Sequence, residues 1–216
     1  RDLHSFPTRR SSDLDLMLEN CGQLGNLNIS NTKVTTLDSI MLPQSLRFLN
    51  ISNTAIDDLT PIENLENLQV LIIDNSKVTD LTPLSKLGKL HEFHCRNTEI
   101  SDIMPLKDLP HLVRIYCDNT LIDSEKADSF RNENRRVIVI YETKALQDWW
   151  NRLHISWKKV FAEQNHTSLD PDAEELHNII CMKSLTLDHT FLDAMPIERL
   201  TNLEELNLEG SKIADL

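Results

Sequence analysis

A repeat of 22 residues constrains the fold of this 216-residue chain more than any other feature of its sequence. Apolar residues return at the fourth and sixth positions of each unit, an alternation that predicts a short β-strand. Later in the unit, apolar residues spaced by three, such as Leu81, Leu84 and Leu87, predict a short helical or 3₁₀ turn. Because no single unit can bury its own apolar face, the units must stack on one another. A leucine opens each of five successive units: Leu24, Leu46, Leu68, Leu90 and Leu112.

Two polar columns follow the predicted strands. We interpret the small hydroxyl residues of one column as partners for buried backbone groups. The asparagines of the other column are interpreted as turn residues, because asparagine tolerates unusual backbone dihedral angles. Neither column predicts a nucleophile. The hydroxyl column is Thr32, Thr54, Ser76, Thr98 and Thr120, and the asparagine column is Asn31, Asn53, Asn75, Asn97 and Asn119.

The unit, written LxxLxLxxTxIxxLxPLxxL, resembles the bacterial leucine-rich repeat, in a form close to that of the internalins with threonine replacing the usual asparagine. The resemblance covers about residues 15–141 and resumes near the C-terminus. It implies an α/β fold, a leucine-rich-repeat solenoid with a parallel sheet on the concave side and short helical or 3₁₀ turns on the convex side. A helical segment is expected between two repeat arrays.

Four segments are predicted along the chain. Residues 1–14 resemble a translated sequencing adapter and are excluded from the fold prediction. Residues 15–143 form the first array, residues 144–178 a tryptophan-rich helical segment, and residues 179–216 a second array with a spacing of 21 residues. Both ends of the sequence are predicted to be cut from a longer array.

The boundaries within these segments rest on local signals. Asp123 and Ser124 are predicted to begin a longer helix, after which the count of 22 places Val137 and Val139 at the fourth and sixth positions of a sixth strand. In the helical segment, Ser156 is a candidate cap between two halves, and Asp170-Pro171 is predicted to open a further helix. Its three tryptophans are interpreted as a core or end cap, with an aromatic ligand box as the alternative.

Composition excludes several classes of function. Acidic residues outnumber basic ones by 34 to 22, and the net charge of −12 disfavours nucleic acid as a partner. No apolar run approaches the length of a transmembrane segment. With four glycines and no nucleophile or phosphate-binding motif, the chain is predicted not to be an enzyme and to need no cofactor.

The histidines and cysteines near residue 94 are not predicted to form a metal site. Strand alternation sends His91 and His94 to opposite faces and Cys95 inward, so three ligands do not converge. Cys95 and Cys117 occupy equivalent inward positions on adjacent strands, where they are expected to replace leucine as small buried residues. A disulfide between them is the alternative.

The outward positions of the predicted strands are the candidate binding site. Apolar and aromatic residues there are bordered by charges, a pattern typical of interaction sites. Strands about 4.8 Å apart would also bring the opposite charges of Asp74, Arg96 and Asp118 alongside one another. The tryptophan-rich helices could instead cover part of the face, especially Ile138 and Ile140. The predicted partner-binding residues are Phe48, Val70, Ile72, Asp74, His94, Arg96, Arg114, Tyr116 and Asp118.

The predicted function is protein binding through the concave face, with a glycan as the second choice of partner. The alternatives are a structural spacer of a larger bacterial surface protein, or a non-catalytic part of a larger enzyme. A location at the cell surface or in the secreted fraction is implied by the family resemblance alone.

Overall fold

The computed structural model of the chain describes residues 18, 21–38, 40–187 and 196–209. The predictions for residues 1–14, and for the second array at residues 188–195 and 210–216, lie outside the described residues. The chain divides into two units, with the boundary between Tyr141 and Glu142.

The first unit is built on a parallel sheet of six strands that pair in chain order, as the repeat predicts. The middle residue of each strand is buried, whereas most of the residues on either side of it are partly or fully exposed. One face of the sheet therefore supplies the core and the other carries the candidate site. The strands are β1 (Asn26–Asn28), β2 (Phe48–Asn50), β3 (Val70–Ile72), β4 (Glu92–His94), β5 (Arg114–Tyr116) and β6 (Ile138–Ile140).

Short 3₁₀ helices form the predicted turns on the other side of the core. Each has a proline in its first turn, where the fixed φ angle is suitable and the missing N–H is not needed. The carboxylate of Asp58 accepts a hydrogen bond from the Thr60 backbone N–H at 2.8 Å, which lowers the pKa of Asp58. The three helices are Thr60–Ile62, Thr82–Lys86 and Met104–Leu106.

The sixth strand corrects the sequence prediction by two residues. Ile115 pairs with Val139, whereas the count of 22 had placed Val137 in that position. The unit is longer because helix α1 (Ser124–Glu133) occupies its turn side, capped by the Asp123 carboxylate as predicted. A shift of two residues preserves the alternation of faces, so Ile138 and Ile140 still continue the rows of Arg114 and Tyr116.

The asparagine and hydroxyl columns have the predicted structural roles. All five asparagines adopt a left-handed backbone with φ between 55° and 58°. The hydroxyls of Thr32, Thr54, Thr98 and Thr120 donate hydrogen bonds of 2.6–2.7 Å to the carbonyl oxygen three residues earlier. The buried hydroxyl of Ser76 differs, because it has no hydrogen-bond partner among the described residues.

The left-handed turn predicts a stability effect at an exposed position. Asn75→Ala is expected to lower the free energy of unfolding by about 1–2 kcal/mol, because a Cβ at φ 57° without the asparagine amide is strained. Asn75→Gly is the control and should cost less than alanine, since glycine adopts this conformation freely. Equal losses in urea denaturation of both variants would show that the backbone conformation is not the cause.

Within its described residues, the second unit contains three α-helices, a 3₁₀ helix and a two-stranded parallel sheet. Its strands pair Leu185 with Leu206, which confirms the predicted spacing of 21 residues. The elements are α2 (Thr143–Arg152), α3 (Ile155–Asn165), α4 (Ala173–Ile180), β7 (Ser184–Thr186), Pro196–Arg199 and β8 (Glu205–Asn207).

Two predicted helix caps in this unit are corrected. Helix α3 begins after His154, whose ring Nδ1 accepts from the Ser156 N–H, so Ser156 is not the cap. Helix α4 begins after Asp172, two residues beyond the predicted Asp170. There Asp172 and Glu175 each accept a hydrogen bond from the backbone N–H of the other at 2.9 Å, and this reciprocal pair fixes the start of the helix.

The tryptophans of the second unit form its core, as predicted, rather than an exposed aromatic surface. Trp149, Trp150 and Trp157 are at most 4% exposed and pack around Phe161. No helix in the described ranges is both long enough and apolar enough to cross a membrane.

Candidate binding surface

The candidate site lies on the face of the first unit's sheet that points away from the core. We call this surface the sheet face. Its chemistry changes from strand to strand across the sheet. Strand β1 carries asparagine side chains, β2 and β3 carry the apolar ones, and β4 and β5 carry charged and aromatic ones. It comprises the residues that flank the buried centres of β1 to β5, together with the charged residue two positions after each of β3, β4 and β5, namely Asn26, Asn28, Phe48, Asn50, Val70, Ile72, Asp74, Glu92, His94, Arg96, Arg114, Tyr116 and Asp118.

The apolar part of the sheet face is contiguous. Phe48 is the register partner of Val70 on the adjacent strand, and Ile72 lies beside Val70 on β3. All three side chains are partly exposed. The structure thus brings together the phenylalanine and the two aliphatic residues that were predicted from the sequence as part of the site. We call them the apolar patch.

An aromatic cluster adjoins the apolar patch, since His94 is the register partner of both Ile72 and Tyr116. The rings of His94 and Tyr116 stack with their centroids 4.3 Å apart and their planes inclined by 26°. The guanidinium carbon of Arg96 lies 4.5 Å from the centroid of the Tyr116 ring. Arg96 therefore makes a cation–π contact, and the three side chains restrict one another's motion.

Two carboxylates lie beside Arg96, as the shared position of Asp74, Arg96 and Asp118 in successive repeats predicts. Its guanidinium nitrogens lie 3.6 Å from an Asp74 oxygen and 3.7 Å from an Asp118 oxygen. Asp74 also accepts a hydrogen bond of 2.7 Å from the backbone N–H of Arg96. The opposite charges meet as expected, and both carboxylates favour this orientation of the partly exposed Arg96 side chain.

Arg114 is paired with a residue that the sequence analysis left out. The Glu92 carboxylate lies 3.2 Å from a guanidinium nitrogen of Arg114. Glu92 occupies an outward position of β4 but is not among the partner-binding residues predicted from the sequence. Its position directly opposite Arg114 in the register was the signal that could have identified it.

The environment of His94 favours its neutral form. Burial lowers its pKa from the ordinary 6.5, and the positive charge of Arg96 lowers it further, whereas Asp74 and Glu92 oppose the shift. Because arginine can only donate, the contact of 3.3 Å between the Arg96 guanidinium and Nδ1 makes that nitrogen the acceptor. The ring proton is then on Nε2, which lies 3.7 Å from a Glu92 oxygen.

This environment predicts how His94 responds to acid. Its folded-state pKa is below that of the unfolded chain, so the unfolded chain binds the proton first as the pH falls. The stability associated with neutral His94 is therefore complete above about pH 6.5 and is lost as the pH falls from there through the lowered pKa. NMR of the imidazole signals should give a midpoint below that of the urea-unfolded chain. His94→Gln should remove this part of the pH dependence; a midpoint at or above 6.5 would contradict the assignment.

Cys95 and Cys117 are buried thiols in the core, which confirms the prediction that they replace leucine. Burial raises the pKa of Cys117 to about 12 and raises that of Cys95 as well, so neither is a reactive thiolate. Across the described residues, no three histidine, cysteine or acidic side chains are arranged to hold a metal ion.

Comparison with known families agrees with the repeat architecture. The family model described as Leucine Rich repeats (2 copies) matches residues 44–86, which include β2, β3 and the first two 3₁₀ helices. The chain thus has the fold of a leucine-rich-repeat solenoid. A search of curated proteins found no match to its sequence.

Solved bacterial structures are similar to this chain. Internalin C2 of Listeria monocytogenes is 32% identical over 46% of this chain and 44% of its own, with a TM-score of 0.44. The internalin inlF of the same species is 17% identical over 92% of this chain and 50% of its own, with a TM-score of 0.49. A leucine-rich-repeat protein of Leptospira interrogans is 19% identical over 57% of this chain and 38% of its own, with a TM-score of 0.46.

The chain spans half or less of the length of these solved structures. Leucine-rich-repeat proteins of the internalin type are commonly protein-interaction modules, and their fold is typically non-catalytic.

Proposed function

We propose that this leucine-rich-repeat protein binds a protein partner through its sheet face. The observation that carries the proposal is the aromatic cluster, in which a tyrosine, an arginine and a histidine are held together beside the apolar patch. Tyrosine and arginine are enriched among the residues that dominate interface energies.

The fixed geometry of the cluster favours binding. Ordering a flexible arginine or tyrosine at an interface costs conformational entropy, and a side chain that is already held loses less. Arg96 is held by Asp74 and Asp118, and Tyr116 is held by its contacts with His94 and Arg96. Surface ion pairs of this kind contribute at most about 1 kcal/mol each to folding, so orientation of these side chains is their more important effect.

The apolar patch supplies the second part of the proposed interface. Phe48, Val70 and Ile72 lie on two adjacent strands and are only partly covered by the protein itself. A partner that covers them removes apolar area from water, which contributes roughly 25 cal/mol for each Å² buried. Charges at Arg114, Glu92 and Asp118 border the cluster and favour a partner with complementary polar groups.

Alanine substitutions on the sheet face are expected to weaken partner binding. The strongest of Tyr116→Ala, Ile72→Ala and Arg96→Ala should reduce affinity by about 2 kcal/mol or more, roughly 30-fold. A photo-reactive amino acid at Phe48 would first identify and isolate the partner by cross-linking. Calorimetric titration of each variant with that partner then measures the loss.

Glu63→Ala and Lys86→Ala are the matched controls. These two residues pair with each other at 3.3 Å on the turn side of the first unit and should leave partner affinity unchanged. If they abolish binding while the sheet-face variants do not, the sheet is not the binding surface and the spacer alternative gains. The cell-surface or secreted location implied by the family stays a prediction.

A further inference from the structure

A cavity of about 480 Å³ opens where β3 and β4 begin, at the edge of the sheet where their N-terminal ends meet. Its polar side chains can all donate hydrogen bonds, and no acidic side chain is among the described residues that line it. This contrasts with the whole chain, in which 34 acidic residues face 22 basic ones. The lining residues are Gln69, Val70, Lys89, His91 and His111.

Hydrogen bonds hold two of the lining side chains. The ammonium group of Lys89 donates to the Asn67 amide oxygen at 2.7 Å. The Nδ1–H of His91 donates to the backbone carbonyl of His111 at 3.1 Å. The cavity thus presents the Lys89 ammonium group together with two imidazole rings, groups that can donate hydrogen bonds to an anion.

The repeat architecture does not require this pair of residues. In the column of Lys89, the neighbouring repeats have Ser45, Asn67 and His111. In the column of His91, they have Arg47, Gln69 and Val113. A lysine followed two residues later by a histidine therefore occurs at one of these four equivalent places, whereas the structural asparagine column is complete.

The cavity is continuous with the sheet face. Val70 belongs to both, so a partner that covers the apolar patch reaches the cavity. The nearest acidic residue of β4, Glu92, is already paired with Arg114 at 3.2 Å and does not neutralise Lys89.

We propose that the cavity at Lys89, His91 and His111 receives an acidic side chain of the protein partner, whose carboxylate is bound by the lysine and the histidines. Specificity for a carboxylate depends only on the residues of this chain that line the cavity. The assignment of that carboxylate to a protein partner rests on the proposed function of the sheet face.

NMR titration with triglutamate tests the carboxylate site without the partner. The imidazole signals of His91 and His111 should shift in a saturable manner at millimolar peptide, while those of His154 in the second unit should not. Triglutamine, at the same pH and ionic strength, should cause no such shifts. Lys89→Met should weaken triglutamate binding about fivefold, the loss expected for one partly exposed ion pair.

Lys86→Met is the matched control, because it removes the same charge from the turn side of the same repeat. Equal weakening by both variants would show a response to net charge and would overturn the site. Equal saturation by inorganic phosphate would overturn the specificity for a carboxylate, as would an absence of shifts with triglutamate. If triglutamate binds but Tyr116→Ala and Ile72→Ala leave partner affinity unchanged, the cavity stands and the sheet-face proposal fails.

Discussion

Replacing Leu71 by alanine is expected to lower the free energy of unfolding by about 2–5 kcal/mol. Leu71 is the centre of β3, is completely buried, and lies between its register partners Leu49 and Phe93. Truncation removes apolar contacts and leaves a cavity that a rigid stack of repeats cannot easily fill. Urea denaturation, followed by circular dichroism, measures the loss as a lower midpoint at constant slope.

Lys77→Ala is the control for this substitution. Lys77 is an exposed residue six positions later in the same repeat, and its truncation should change the free energy of unfolding by less than about 0.5 kcal/mol. A larger loss from Lys77→Ala than from Leu71→Ala would mean that the assignment of inward and outward faces is wrong.

Trp150→Ala should have a comparable or larger effect on the second unit, about 3–5 kcal/mol. Trp150 is 1% exposed, lies against Trp149 and Phe161 with centroids 6.3 and 6.4 Å away, and donates from its indole N–H to the Leu169 carbonyl at 3.2 Å. Alanine removes the ring and leaves that carbonyl without its donor. Hydrogen exchange of the amides in α2, α3 and α4 measures the loss of protection.

Arg152→Ala, at an exposed site on the same helix, is the control for Trp150→Ala. In the Arg152→Ala variant the amides of α2, α3 and α4 should retain their protection from exchange, because the Arg152 side chain is exposed to solvent. If Trp150→Ala leaves hydrogen exchange in α2, α3 and α4 unchanged, the tryptophans do not form the core of this unit.

The regular part of the fold could be predicted because equal spacing determines register. Once Leu49, Leu71 and Phe93 occupy the same position in successive units, parallel pairing follows for β2, β3 and β4. The sixth strand could not be placed in this way, since Val137 and Val139 are both apolar and either fits the pattern. Its register depends on how helix α1 uses the additional residues, which the apolar spacing does not specify.

The candidate site was predictable where its residues occupy the same position in successive repeats. The meeting of Arg96 with Asp74 and Asp118 follows from their shared position in three units. The stacking of His94 on Tyr116 depends on side-chain rotamers, which spacing alone does not determine. The cavity at Lys89 was not predicted, because residues from two successive repeats line it and its shape depends on the turns before the strands.

The constant register of the sheet also determines how such a chain can change length during evolution. Gain or loss of one whole unit leaves every remaining column aligned, and the helix-bearing unit before β6 shows that two additional residues can be absorbed without reversing the faces of a strand. Recombination between repeats could therefore insert a new row of side chains beside Tyr116 while the rest of the sheet remains intact. A lineage can in this way alter the chemistry of the sheet face by exchanging whole units, with no need to redesign the core.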